Sequence, residues 1–218
     1  MTDSLLECFQ RYNCDKGKKI GIPEKGKDCH NYHIVYEKAF EDFRHDPINI
    51  LEIGIWKGTS LQAWVDYFPN AQIYGIDIFT RLAPQDVKIL NHERVHYIIG
   101  NSTVAGLSSK INTAWGEDIK FDFIIDDGKH TPKANRLSFN NTINYLKEGG
   151  KYFVEDAWAL DIMTLEEKQH PWILRNPSEY TTWHFDQFMK AIKDYSVERH
   201  DLRSISFKPD SYIFEITK

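Results

Sequence analysis

Cysteine is scarce in this 218-residue chain: there are three, at Cys8, Cys14 and Cys29. An odd number, widely spaced and confined to one end, argues against a disulfide framework and fits reduced thiols. No Cys-x-x-Cys pair occurs, so a zinc site built from Cys14, Cys29 and His30 is conceivable but poorly supported. Long hydrophobic runs are absent as well, and nothing approaches the ~18 apolar residues of a membrane-spanning helix. The opening residues show no basic stretch followed by an apolar one, so no secretory leader is expected and the chain reads as soluble and cytoplasmic. There is no excess of positive charge. Lys and Arg total 27 against 32 Asp and Glu, a net charge of −5, which gives no global basic field for nucleic acid or an anionic membrane. Internal repeats and low-complexity linkers are missing too.

What is present suits one domain with a real core, since 41% of residues are apolar and 14% aromatic. Residues 1–12 have the pattern of a short amphipathic helix, and Tyr32–Phe43 repeat apolar residues at helical period. Between them, Asp15–Asp28 form a Gly- and Lys-rich loop, read as solvated or as a flap. Strand and helix patterns then alternate. Strands are expected at Ile48–Ile53, Gln72–Ile76, Val95–Ile99, Phe121–Ile125 and Lys151–Val154. Helices are expected at Ser60–Tyr67, around Pro84–Leu90, at Val104–Thr113 and at Lys133–Leu146, the last ended by Gly149-Gly150. Such alternation argues an α/β, doubly wound, mostly parallel sheet. After an aromatic-rich segment at 157–180 comes a helix at Thr181–Asp194. Short strands within Val197–Phe207 and at Tyr212–Ile216, joined by a Lys208–Ser211 turn, make a C-terminal antiparallel hairpin. Residues 1–46 are therefore expected as an N-terminal extension and 47–218 as the main body.

Two places carry chemistry. The first is Leu51-Glu-Ile-Gly-Ile-Trp-Lys-Gly-Thr-Ser60, which leaves the first strand and opens a helix. Gly54 and Gly58 allow a tight turn and a close approach to a ligand. Asp77 ends the next strand, 19 residues past Gly58, where an acid can hydrogen-bond ribose hydroxyls. The dinucleotide pattern G-x-G-x-x-G is absent, and a Glu ahead of a single turn Gly fits S-adenosylmethionine better than a nicotinamide cofactor. The second is Phe121-Asp-Phe-Ile-Ile-Asp-Asp-Gly-Lys-His130, echoed by Lys151-Tyr-Phe-Val-Glu-Asp156. Both are strands ending in carboxylates. If they are parallel neighbours, Asp127, Glu155 and Asp156 meet beyond their carboxyl ends. Clustered carboxylates repel unless a cation joins them, and all-oxygen ligands select a hard ion such as Mg²⁺. His130 stands beside them as a base, whereas Asp126 is expected to face the cofactor, because adjacent side chains on a strand diverge.

Together these residues resemble class I S-adenosylmethionine-dependent methyltransferases over most of the chain. Tyr12…Asp15-Lys16, His30-Asn-Tyr32…Tyr36, Asp126-Asp-Gly-Lys-His130 and Gly149-Gly-x-Tyr152-x-x-Glu155-Asp156 look like the metal-dependent sugar O-methyltransferases of macrolide biosynthesis, of the macrocin and mycinamicin type. Cephalosporin hydroxylase-like proteins share much of this set. The resemblance implies a seven-stranded Rossmann-like sheet with its last strand inserted antiparallel. Glu52, Gly54 and Gly58 would then lie at the cofactor's amino-acid portion and Asp77 at its ribose, with Ser60 also binding the cofactor. Asn101 and Ser102 would approach the adenine. It also implies that Asp127, Glu155 and Asp156 hold Mg²⁺ and that His130 is the general base. Lys129 departs from the family's usual Ser, and Ala134 from a frequent second His.

The expected activity is O-methylation of a hydroxylated small molecule, with a sugar or glycoside as the expected acceptor. A catechol-type O-methyltransferase and a non-catalytic S-adenosylmethionine-binding module are the alternatives, and self-association is possible. Trp158, Trp172, Tyr180 and Trp183, in or beside the 157–180 connection, suit either a lid that stacks on sugar rings or simple packing.

Overall fold

Six largely apolar, β-branched or aromatic runs and one polar edge strand pair into one sheet in a computed structural model that describes residues 3–17 and 29–218. The strands are β1 (Asn49–Ile53), β2 (Gln72–Asp77), β3 (Val95–Ile99), β4 (Phe121–Asp126), β5 (Leu146–Val154), β6 (Ser196–Asp201) and β7 (Tyr212–Thr217), in the order β3-β2-β1-β4-β5-β7-β6. The first five run parallel, and β7 is antiparallel to both β5 and β6. The doubly wound, mostly parallel sheet with its C-terminal antiparallel hairpin is therefore present. Most of the Lys-rich loop, and with it the flap reading, falls at 18–28, outside the described residues. No helix among the described residues is long and apolar enough to cross a membrane.

Period-two alternation sorts the central strands onto two faces. Phe123, Ile125 and Phe153 point to a core shared with α1 (Leu5–Arg11), α2 (His33–Phe40) and α3 (Thr59–Tyr67). Ile53, Ile124 and Val154 point the other way, to α4 (Leu107–Trp115), α5 (Pro132–Thr142) and α7 (Thr182–Ile192). Short helices α6 (Pro171–Arg175) and α8 (Arg203–Ser206) lie in the connections near the C-terminal hairpin. On the first face the fully buried Trp64 meets Phe9, Tyr36 and Phe40 edge-on at 5.1, 5.5 and 5.7 Å. Edge-to-face contacts of this kind add to the burial of large rings. They lock the N-terminal helices against α3.

Two local expectations are corrected. Pro84–Leu90 forms two short 3₁₀ turns, Pro84–Asp86 and Lys88–Asn91, instead of a helix. The Gly149-Gly150 pair does not stop a helix. After α5 a 3₁₀ turn at Ile143–Tyr145 leads directly into β5, and Gly149, at φ 74°, sits within that strand where its register against β4 shifts.

Register sets the functional edge. Ile53 pairs with Asp126 and Asp126 with Val154, so Gly54, Asp127 and Glu155 leave their strands side by side. The backbone N–H of Asp127 donates to Ile53 O at 2.9 Å, and that of Glu155 to Asp126 O at 3.0 Å. A Cβ on Gly54, which has φ 97°, would overlap the Asp127 carbonyl oxygen. The strands can approach this closely only with glycine there. Gly106 has a similar φ of 90° but open space around it. Gly54→Ala should therefore destabilise by more than the ~1–3 kcal/mol of backbone strain alone, and by clearly more than Gly106→Ala in urea denaturation. Equal losses would show that close approach is not the constraint.

Candidate active site

Glu52, Asp127 and Glu155 share a sheet face by parity, the face covered by the N-terminal helices. Lys16 reaches them from the loop after α1. Its Nζ donates to Asp127 Oδ2 at 2.5 Å and to Glu155 Oε2, and lies 3.5 Å from Glu52 Oε1. The lysine is only 2% exposed. Burial opposes its charge, but Asp127, Glu155 and Glu52 outweigh that and hold its pKa well above the ordinary lysine value. Tyr36, from α2, donates to the other oxygen of Glu155. Glu52 is wholly buried, and its Oε2 accepts from Trp64 Nε1 at 2.8 Å. Burial lifts the Glu52 carboxyl to about 7, against the pull of Lys16.

Asp156 follows Glu155 but turns differently, because its backbone adopts φ 48°. Its Oδ1 accepts from Tyr32 Oη at 2.5 Å and lies 3.2 Å from His30 Nδ1. His30 in turn contacts Ser211 Oγ at 2.8 Å and Lys208 Nζ at 3.0 Å, which ties this corner to the turn before β7. Burial works against the Asp156 carboxylate, yet His30, His130 and the Tyr32 hydroxyl bring its pKa down to about 2. His130 closes the group. Its Nε2 is 3.6 Å from Asp127 Oδ1 and 3.9 Å from Asp156 Oδ2. One ligand atom each from Asp127, His130 and Asp156 fall within 4.8 Å of one another. Burial lowers the pKa of the His130 ring, and Asp156, Asp127 and Asp126 more than restore it, for a net rise.

The loop carrying His130 is held from the 157–180 connection. Tyr180 Oη donates to the His130 carbonyl at 3.1 Å, and Glu179 takes Lys129 Nζ at 2.7 Å and Thr131 Oγ1 at 3.0 Å. Lys129, the departure from the usual Ser, thus has a partner of its own. Trp158 and Tyr180 are buried and meet edge-on at 5.8 Å, so they pack this connection down, whereas Trp172 and Trp183 are exposed.

At the other end of the edge, Asp77 braces the glycine turn. Its Oδ2 accepts from the N–H of Ile55 at 2.7 Å and of Trp56 at 2.9 Å, and its Oδ1 from Phe79 at 2.6 Å. Gly58, at φ 71°, is the N-cap of α3, and Ser60 lies buried in the first turn beside Glu52. Asn101 is exposed and folds onto Thr103, while the buried Ser102 hydroxyl bonds Ser138 Oγ at 2.7 Å. Asp126 points to the opposite face from Asp127. Gly128 N–H donates to its Oδ1 at 3.3 Å, but its buried Oδ2 has no hydrogen-bond partner, and burial lifts the carboxyl to about 7.

The structure therefore places the expected ligands in two groups. Asp127, Asp156 and His130 converge on a shared space, while Glu155 joins Asp127 through Lys16. Three contributors escaped the sequence reading as site residues: Lys16, Tyr32 and Tyr36. His30, weighed there only as a zinc ligand, instead meets Asp156, Ser211 and Lys208. All four lie in motifs that carry the resemblance.

With this geometry in view, the comparisons are specific. Residues 51–157 match the family model described as a methyltransferase domain. This stretch is similar to methyltransferase domains, and the sheet around it has the class I methyltransferase fold. The chain is 34% identical over 131 residues to mycinamicin VI 2''-O-methyltransferase of Micromonospora griseorubida, covering 57% of this chain and 31% of that protein. It is 31% identical over 145 residues to demethylmacrocin O-methyltransferase of Streptomyces fradiae, covering 63% and 34%. The chain thus spans about a third of the length of these curated relatives. The solved MycE methyltransferase of the mycinamycin biosynthetic pathway, in complex with Mg and SAH, superposes with a TM-score of 0.67 at 24% identity. That match covers 100% of this chain and 55% of MycE.

The buried Asp126 carboxyl makes a pH-dependent prediction. Its folded pKa of about 7 stands above the ordinary 3.8, so the folded state must hold a proton that the unfolded chain releases. Stability from this group is full below about pH 4 and is lost as pH rises towards 7. Asp126→Asn should match wild type in thermal melts near pH 4 and exceed it by on the order of 2–4 kcal/mol at pH 8. A pH-independent difference would contradict this.

Proposed function

We propose that the protein is an S-adenosylmethionine-dependent O-methyltransferase that uses Mg²⁺ to methylate a hydroxyl of a sugar or glycoside. The observation that carries this reading is the convergence of Asp127, His130 and Asp156 at the carboxyl ends of β4 and β5, beside the glycine turn after β1. The match to a methyltransferase domain supports it, as do the sugar O-methyltransferases among the relatives and the Mg and SAH in the MycE structure.

The donor set fits a hard divalent ion. Asp127 and Asp156 each present an oxygen towards His130, and Glu155 adds a third carboxylate once its Oε2 is released. Bound there, the ion would lower the pKa of an acceptor hydroxyl, while S-adenosylmethionine supplies an already activated methyl group. His130 Nε2 is placed to take the acceptor's proton. Tyr180, through the His130 carbonyl, and Glu179, through Thr131, hold its loop still. Gly54 and Gly58 leave room for the cofactor's amino-acid portion, with Glu52 and Ser60 behind the turn. Asp77 fixes the turn next to the ribose position, Asn101 and Ser102 border the adenine side, and Asp126 faces the cofactor rather than the ion. Residues 1–46 act as an extension that delivers Tyr32 and Tyr36 to the carboxylates, and residues 47–218 form the catalytic body.

Calorimetric titration into metal-stripped protein tests the reading. S-adenosylmethionine and S-adenosylhomocysteine should bind and NAD should not, with separate Mg²⁺ uptake that Asp127→Ala abolishes. Failure of both adenosyl compounds to bind would overturn the assignment. His130→Ala should lower turnover by on the order of 10²–10⁴-fold with cofactor affinity nearly unchanged, since it removes a proton acceptor and no cofactor contact. Near-normal turnover in that variant would remove His130 from the role of base.

A further inference from the structure

The ammonium of Lys16 bridges Asp127 Oδ2 and Glu155 Oε2, two of the three carboxylates proposed to hold the divalent ion. An ion shared by these two residues takes Glu155 Oε2, which Lys16 now holds, and sits on the Asp127 carboxylate whose Oδ1 faces His130 and whose Oδ2 Lys16 holds. A dication and an ammonium on the same two carboxylates repel strongly in a buried site. Lys16 must therefore leave when such an ion arrives. Its backbone cannot move far, because the Lys16 carbonyl accepts the His33 N–H at 3.1 Å and the Asp15 carbonyl accepts the His30 N–H at 2.8 Å. Rotation of the flexible four-carbon stem is what remains.

A second acceptor is waiting next to it. Glu52 Oε1 is buried and meets Lys16 Nζ only at 3.5 Å, beyond a good hydrogen bond, while Trp64 engages Oε2 and the Ser60 hydroxyl also bonds this carboxylate. A buried carboxylate oxygen held only by an ammonium at that distance is under-satisfied and has room for a closer donor. Resting on the function proposed above, we propose that Lys16 is a two-position internal counter-ion. Without a divalent ion it joins Asp127 to Glu155, and when the ion binds it withdraws to Glu52. Glu52 thereby acts on the ion as a positioning residue, through Lys16. The competing ammonium weakens ion binding, and Glu52 offsets part of that competition.

Mn²⁺ binding to metal-stripped protein, followed by electron paramagnetic resonance, reads this without turnover. Lys16→Met should tighten Mn²⁺ binding by on the order of tenfold or more, and Glu52→Gln should weaken it comparably. In the Lys16→Met background the Glu52→Gln effect should largely vanish, as coupling through one side chain requires. Unchanged or weaker binding in Lys16→Met overturns the proposal, and so does an equal Glu52→Gln effect in both backgrounds. A crystal structure of the wild-type protein with Mn²⁺ needs no variant to fold. Lys16 Nζ on Glu52 Oε1 supports the proposal, whereas Nζ still bridging Asp127 and Glu155 beside a bound ion, or no ion at Asp127, overturns it. S-adenosylhomocysteine is titrated in parallel. Intact binding alongside a failed Mn²⁺ pattern sinks the counter-ion role alone, whereas no binding sinks the methyltransferase reading with it.

Discussion

The ion cluster of Lys16 with Asp127, Glu155 and Glu52 is the constraint around which the molecule is arranged. Three carboxylates meet at one sheet edge because register and parity put them there, and buried like charges do not persist without a cation among them. The chain supplies that cation from its own N-terminal segment. Docking of α1 and α2 is thus electrostatic as well as hydrophobic. The Phe9, Tyr36 and Phe40 rings packed on Trp64 bring the segment in, and Lys16 neutralises what it covers.

The two faces of the sheet divide the labour. On the first, α2 and the residue that caps its start send two tyrosines to adjacent carboxylates, Tyr36 to Glu155 and Tyr32 to Asp156. On the second, Asp126 faces α5 with little to satisfy it, which leaves its carboxyl easy to protonate. Between them stands His130, in a left-handed backbone conformation at φ 55° and fixed through Tyr180. The 157–180 connection is thereby joined to the chemistry through the backbone of the base. Its inner aromatics, Trp158 and Tyr180, serve packing.

The fold was highly legible. β3 and α3 fall within a residue of the expected bounds because their apolar periodicity is strong and their flanks carry turn residues. Pro84–Leu90 misled because 3₁₀ turns and a short helix share the same local apolar spacing. Gly149-Gly150 misled because a glycine pair can shift a strand register as readily as it ends a helix. In the candidate site, the convergence of Asp127 with Glu155 could be read from two strand ends, and the divergence of Asp126 from parity. Lys16 could not. A lysine among lysines in a Gly-rich loop looks solvated, and only a contact 111 residues away along the chain shows otherwise.

The sequence by itself determined the sheet, its order of strands and helices, and which carboxylates end which strands, because these follow from local periodicity and the alternation of faces. Tertiary structure alone decided which cation those carboxylates hold. It also decided that Glu52 faces Lys16 from within the core and that Tyr32, Tyr36 and His30 reach the site. These contacts join loops and helices of the N-terminal segment to strands that lie dozens to more than a hundred residues further on, and no local pattern encodes a buried charge's partner. That pairing is set by the three-dimensional balance of desolvation against charge.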